Sequence, residues 1–318
     1  MSNVAVRPAP ASNAVTAFVR RHPVASYVAL AFAISWGGVL AVVRGGAIPA
    51  PPSEASRLFT LVYLAMLAGP SVAGLTLTFV TGGAAGLHRY RERLGKWRVA
   101  PSWYVTALLA APLALVLTAL ALWPVSTHFA PALLGSGMIE PAGPIQADNI
   151  TMLLLLAACV GIGAGFFEEL GWTGFAVPTL LERRGVVWTG LVVGVIWGAW
   201  HFFAIWWGSA SAFGSVPIPL YLLVALFSFL PPYRVLMVRV YERTGSLPAA
   251  ILMHASLTTS MIIFGPPING WESVIYDLTF GAVLWAIVLV TVRRERLPSV
   301  RDPMAHPSQP VTPTRSRA

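Results

Sequence analysis

The 318 residues are 56% hydrophobic and only 10% charged, with a mean hydropathy of +0.71 and a formal net charge of +9. A soluble domain carries roughly a quarter charged residues, so this chain has too few charges to cover a core of its own, and the bilayer is its expected solvent. The single cysteine, Cys159, excludes an intrachain disulfide and a cysteine metal cluster.

The chain opens on a stretch rich in Pro, Ala and Ser that ends in Arg20 and Arg21. Residues 1–22 read as a disordered tail. They do not read as a cleavable signal, because the apolar stretch behind them has the length of a membrane span. Eight apolar segments follow, near 24–43, 58–81, 102–123, 150–172, 187–207, 217–238, 247–265 and 274–292. Each approaches the roughly 20 residues that carry a helix across a hydrocarbon core of about 30 Å. Backbone groups in lipid must be bonded within the segment, which selects helices. The segments are too long and continuous for barrel strands. The expected fold is therefore all-α: a polytopic bundle of about eight transmembrane helices over 23–295, with a second disordered tail at 296–318. The connection 124–150 is long and nearly uncharged, and is expected to dip partly into the interface.

Charge placement orients the bundle. With the N-terminus inside, 19 of the 21 Lys and Arg fall in the tails and the inner connections, counting Arg234 with the last of these. Only Arg44 and Arg57 lie outside. This asymmetry predicts both termini in the cytoplasm. It also explains the positive net charge as a collar at an anionic membrane surface rather than a nucleic-acid patch. A composition rich in Ala, Gly, Pro, Arg and Val suggests a bacterial inner membrane.

Glu168 and Glu169 lie well inside the fourth span. Two neighbouring carboxylates at membrane depth are retained where they face a cavity, share partners or do chemistry. A bland alternative is a helix end at which both snorkel to the interface. His201 lies in the fifth span and His254 in the seventh. Glu168 stands 15 residues before Arg183, and His201 stands 17 after Arg184. A helical hairpin over 168–201 would bring the two to similar depth. His254 lies 11 residues past Arg243 on another helix rising from the same side, so all these groups can share one inward-facing cavity. Trp197 is one turn before His201, Thr173 one turn after Glu169, and Thr258 one turn after His254. The small residues of GIGAG at 161–165 suit close helix packing just ahead of the glutamates. There is no HExxH, GxSxG or Walker loop.

The segments FEELGWTGFAVP (167–178), WGAWH (197–201) and HASLT (254–258) together resemble the CAAX protease and bacteriocin-processing family, which includes the Rce1-type prenyl-protein endopeptidases. The family pattern pairs EExxxR with an aromatic-x-x-x-His motif and a His-x-x-x-Asn motif, and the resemblance covers about 150–265. Glu168, Glu169, Trp197, His201 and His254 match it. Thr173 stands in the usual Arg place, and Thr258 in the usual Asn place.

The resemblance implies an intramembrane endopeptidase acting on a membrane-associated peptide or protein segment. Glu168 and His201 would activate a water, with Glu169 beside them, and His254 and Thr258 would stabilise the oxyanion. Trp197 and Thr173 would line the substrate. Glu168, His201 and His254 could alternatively hold a zinc ion, so a metal-free and a zinc-assisted site both stay open. The two threonine replacements also leave open a degenerate member acting as an immunity or scaffold protein. A proton-coupled transporter is the third reading; no internal repeat supports it. Lipid and a peptide or protein substrate are the expected partners, with no nucleic acid.

Overall fold

A computed structural model describes residues 14–130 and 150–296. Among these residues the chain is helical and contains no strand. In order the helices are α1 (Ala14–Arg21), α2 (Pro23–Val43), α3 (Pro52–Leu94), α4 (Pro101–Leu122), α5 (Ile150–Glu169), α6 (Val177–Leu181), α7 (Val186–Trp200), α8 (Phe202–Gly208), α9 (Ile218–Phe227), α10 (Leu230–Thr244), α11 (Leu247–Phe264) and α12 (Gly270–Arg296). A π-helical turn, Trp172–Ala176, joins α5 to α6. Of the expected N-terminal tail, residues 14–21 form α1; residues 1–13, residues 131–149 of the long connection, and 297–318 of the C-terminal tail lie outside the described residues.

Seven helical runs are long and apolar enough to cross a membrane, and the α7–α8 pair, bent by 43°, makes an eighth. The protein is an all-α, multi-pass membrane bundle. Large apolar side chains such as Leu61, Leu64, Phe79, Leu113, Leu120, Leu155 and Leu289 stay exposed on its outer face. That surface suits lipid and would not be tolerated in water.

Proline and glycine punctuate the spans as their backbone chemistry requires. Pro23 starts α2, where the missing N–H has no helical partner to lose. Gly245 ends α10 in the left-handed region at φ 59°. Ser246 then caps α11, its hydroxyl accepting from the Ala249 amide at 3.2 Å.

Two expected boundaries move. The second span does not stop near 81: α3 continues to Leu94, with a break at Gly83 (φ 57°, ψ −150°). A side chain would rarely adopt that backbone, so the glycine lets the helix change direction and carry on. The sixth span extends through α9 and α10 to Thr244, and most of it is buried in the bundle. Arg234 therefore does not belong to the basic collar. It lies in the first turns of α10, with its side chain fully buried.

Glycines set which helices touch. α5 packs against α11, and α7 against α10. A methyl group at Gly165 would fall 2.5 Å from the Ile251 carbonyl and 2.7 Å from the Ala255 amide. The expected close approach of span four thus occurs, and its partner is α11. Gly190 and Gly194 do the same for α7, where an added Cβ would lie 2.5 Å from Val235 Cα and 2.6 Å from Pro231 Cα. The two contacts bring α5, α7, α10 and α11 around one point. Gly165→Val is expected to cost about 1–3 kcal/mol of stability, as overpacking does. Gly37→Ala, where an added Cβ meets nothing within 4 Å, is expected to leave the thermal unfolding midpoint in detergent unchanged or slightly raised.

Candidate active site

α5 ends on the two glutamates, and the chain then loosens from α to π pitch. The step out of α5 is first tight, the Gly171 amide bonding the Glu168 carbonyl three residues back at 3.0 Å, and the π bond follows, from the Ala176 amide to the Gly171 carbonyl five residues back at 3.2 Å. This widened turn keeps the chain helical while aiming both carboxylates into the bundle. Such π turns are frequent at functional sites.

Glu169 is wholly committed. Arg234 Nη1 donates to its Oε1 and Oε2, both at 2.8 Å. His254 Nδ1 meets Oε1 at 2.7 Å, and the Thr173 hydroxyl donates to Oε2. The side chain has no exposed surface. A carboxylate facing a guanidinium only accepts, so His254 Nδ1 carries the hydrogen. The other imidazole nitrogen, Nε2, then points at Glu168, 3.9 Å from its Oε1.

Glu168 is held differently. Its Oε2 accepts from Trp197 Nε1 at 2.7 Å. Its Oε1 is turned to His254 Nε2 and hydrogen-bonds nothing among the described residues. The residue keeps 4% of its surface, whereas Glu169 keeps none. One glutamate is therefore a fixed counter-charge, and its neighbour a carboxylate with a free oxygen.

Trp197 is the hub of the cluster. Its ring lies 5.0 Å from the His254 ring and 5.5 Å from the His201 ring, both edge-on. The Arg234 guanidinium carbon sits 4.0 Å from its centroid, a cation–π contact in a desolvated site. Gly194 makes room for this arrangement, because an added Cβ there would lie 3.1 Å from Arg234 Cβ.

His201 stands at the bend between α7 and α8 and is half-buried. Its Nδ1 lies 2.9 Å from the Trp197 carbonyl. A carbonyl only accepts, so Nδ1 donates, and in the neutral ring Nε2 bears the lone pair. His201 is thus beside the cluster without being bonded to either glutamate.

Glu168, Glu169, Thr173, Trp197 and His254 come together, and His201 adjoins them. Trp197 and Thr173, expected as substrate contacts, have their polar atoms bonded to the two carboxylates. Thr258 is half-buried on α11, one turn beyond His254, and takes no part in these hydrogen bonds. The snorkelling alternative fails for both glutamates, since each is buried among helices.

Among the described residues, no three His, Cys, Asp or Glu side chains are arranged to hold a metal ion. The Nδ1 atoms of His201 and His254 are turned to the Trp197 carbonyl and to Glu169. Both imidazoles keep Nε2 clear of these two contacts.

Arg234 is the residue that sequence reasoning missed. The signal was present: it lies between Phe229–Leu230 and Val235–Val238, inside an unbroken apolar stretch. Its depth also fits the GxxxGxxxG spacing at Gly190, Gly194 and Gly198 on the helix it faces.

Residues 150–260 match the family model described as type II CAAX prenyl endopeptidase Rce1-like. A stretch of 53 residues is 40% identical to the protein named CAAX prenyl protease 2 of Methanococcus maripaludis, covering 17% of this chain and 17% of that relative. Every residue of the buried cluster falls within the matched segment.

Proposed function

We propose that the protein is an intramembrane endopeptidase in which Glu168 activates the attacking water. One observation carries this reading. Glu168 is oriented by Trp197 through one oxygen, while its other oxygen faces His254 Nε2 at 3.9 Å. A water lodged against that oxygen is a nucleophile with a base in contact.

The chemistry follows from the hydrogen-bond roles. Glu168 takes a proton as the water oxygen bonds the peptide carbonyl carbon. His201 Nε2, a lone-pair nitrogen, accepts a hydrogen bond from the water and takes its second proton as the product carboxylate forms. His254, with Nδ1–H on Glu169, presents Nε2–H to the developing oxyanion in its imidazolium form. The C–N bond then breaks, and Glu168 returns its proton to the leaving amine. The products are a carboxylate and an amine. Glu169 and Arg234 do not touch the reacting atoms; they hold His254 in the ring orientation the step requires.

The substrate is a peptide or protein segment that reaches membrane depth, in a lipid environment. The basic collar supports both termini in the cytoplasm, and the composition rich in Ala, Gly, Pro, Arg and Val supports a bacterial inner-membrane location. The mechanism needs no metal step. The degenerate reading loses one of its two grounds, because Arg234 supplies the guanidinium that Thr173 lacks.

The test is cleavage of a panel of membrane peptides, prenylated C-terminal peptides among them, by detergent-purified protein with and without chelator. The expected result is cleavage that survives chelation and is lost in His254→Ala. Loss on chelation with restoration by zinc would overturn the metal-free step. Equal cleavage by His254→Ala would overturn the oxyanion role.

A further inference from the structure

α3 lies outside the segment that matches the family, yet it reaches along the element that carries the glutamates. Tyr63 Oη donates to the Val160 carbonyl at 2.6 Å, and Ser71 Oγ to the Phe167 carbonyl at 2.6 Å. Tyr90 Oη donates to the Leu170 carbonyl at 2.9 Å, and Arg93 Nη2 to the Gly174 carbonyl at 3.0 Å. Four side-chain donors from one helix thus serve four main-chain carbonyls of α5, the π turn and the link between them.

The last three carbonyls bracket the site. Phe167 directly precedes Glu168, Leu170 directly follows Glu169, and Gly174 directly follows Thr173. The pitch change explains why donors are needed there. In an α-helix the Gly171 amide would bond the Phe167 carbonyl; here it bonds Glu168 instead. The Phe167 carbonyl loses its helical partner, and a buried orphan carbonyl is costly. Ser71 fills that place. Tyr90 and Arg93 reach the turn only because Gly83 redirects α3, and Arg93 Nη1 also donates to the Tyr241 hydroxyl at 3.1 Å, tying in α10. Tyr90 is itself buried, and an added Cβ at Gly174 would fall 2.6 Å from its ring.

We propose that α3 is a splint for the catalytic turn, with Ser71, Tyr90 and Arg93 as positioning residues that keep Glu168 in register with His254. The proposal rests on the peptidase reading for its kinetic consequence, though not for the splint itself. Catalytic geometry is steep: a displacement of about 1 Å can cost on the order of 100-fold in rate. Substrate affinity has no such dependence on the Glu168 register.

The test compares wild type, the Ser71→Ala/Tyr90→Phe double variant, and Tyr63→Phe. Tyr63→Phe removes the same kind of bond two turns before the glutamates. Cleavage kinetics and amide hydrogen exchange over 165–176 are read on each. In the double variant kcat is expected to fall about tenfold or more with KM within about twofold, and exchange over 165–176 to quicken. Tyr63→Phe keeps both readouts near wild type. An unchanged kcat in the double variant, or an equal loss in Tyr63→Phe, overturns the splint. If wild type cleaves nothing, the peptidase reading fails alone, and unchanged exchange in the double variant would then overturn the splint separately.

Discussion

Arg234→Ala is expected to lose about 3–5 kcal/mol of stability, the cost of leaving one member of a buried ion pair without its partner. Arg234 Nη1 donates to both oxygens of Glu169, and both side chains are fully buried. Removing it strands a carboxylate among helices, opposite an imidazole that must then take a larger share of the charge. It also removes the guanidinium stacked on Trp197, the residue that orients Glu168. Stability and cleavage should fall together. Neutralising both partners should be milder. In Arg234→Met combined with Glu169→Gln, no buried charge is orphaned, so the double variant is expected to be more stable than the two single losses added together. Unfolding midpoints of wild type, Arg234→Met, Glu169→Gln and the double variant in one detergent measure this. Strict additivity would mean that the two groups do not act as a pair.

Glu168→Gln should behave in the opposite way. Gln keeps the size and can still accept from Trp197 Nε1, so the fold and the unfolding midpoint are expected to stay near wild type. It cannot take a proton from water. Loss of a positioned general base typically costs 10²- to 10⁴-fold, and cleavage is expected to fall by about that factor. Glu169→Gln makes the contrast. It disturbs the pairing with Arg234 and the hold on His254, so it lowers stability as well as rate. Two adjacent glutamates thus yield two distinct phenotypes. A variant pair that lost activity and stability equally would contradict the division of roles.

The span pattern was legible because a bilayer demands long apolar helices, and hydropathy reads them directly. The Glu pair was legible for the same reason: carboxylates among Phe166, Phe167 and Leu170 have no place in lipid without partners. Motif spacing also brought Trp197 and His254 to the right neighbourhood. Arg234 was not recognised because it falls near the end of a span and was counted with the basic residues that follow. Whether an arginine at that position snorkels or is buried depends on whether the helix continues. It continues to Thr244, through a segment with no lipid-facing apolar stripe, since the bundle surrounds it. The arm of α3 was hidden for a related reason. Its Arg89, Arg91 and Arg93 resemble an inner loop by charge alone, and only the turn at Gly83 brings Tyr90 and Arg93 back to the glutamates. Thr258 shows the converse limit. Helical spacing placed it on the His254 face, but spacing says nothing about what a hydroxyl bonds.

The role of Glu168 as the base that activates water is tested most directly by the product formed from one mixture of membrane peptides by purified wild type and by Glu168→Gln, read by mass spectrometry. Fragments with new carboxyl and amino termini are expected from wild type and almost none from the variant, with both proteins equally folded. The same fragments at equal rates from both proteins would contradict that role.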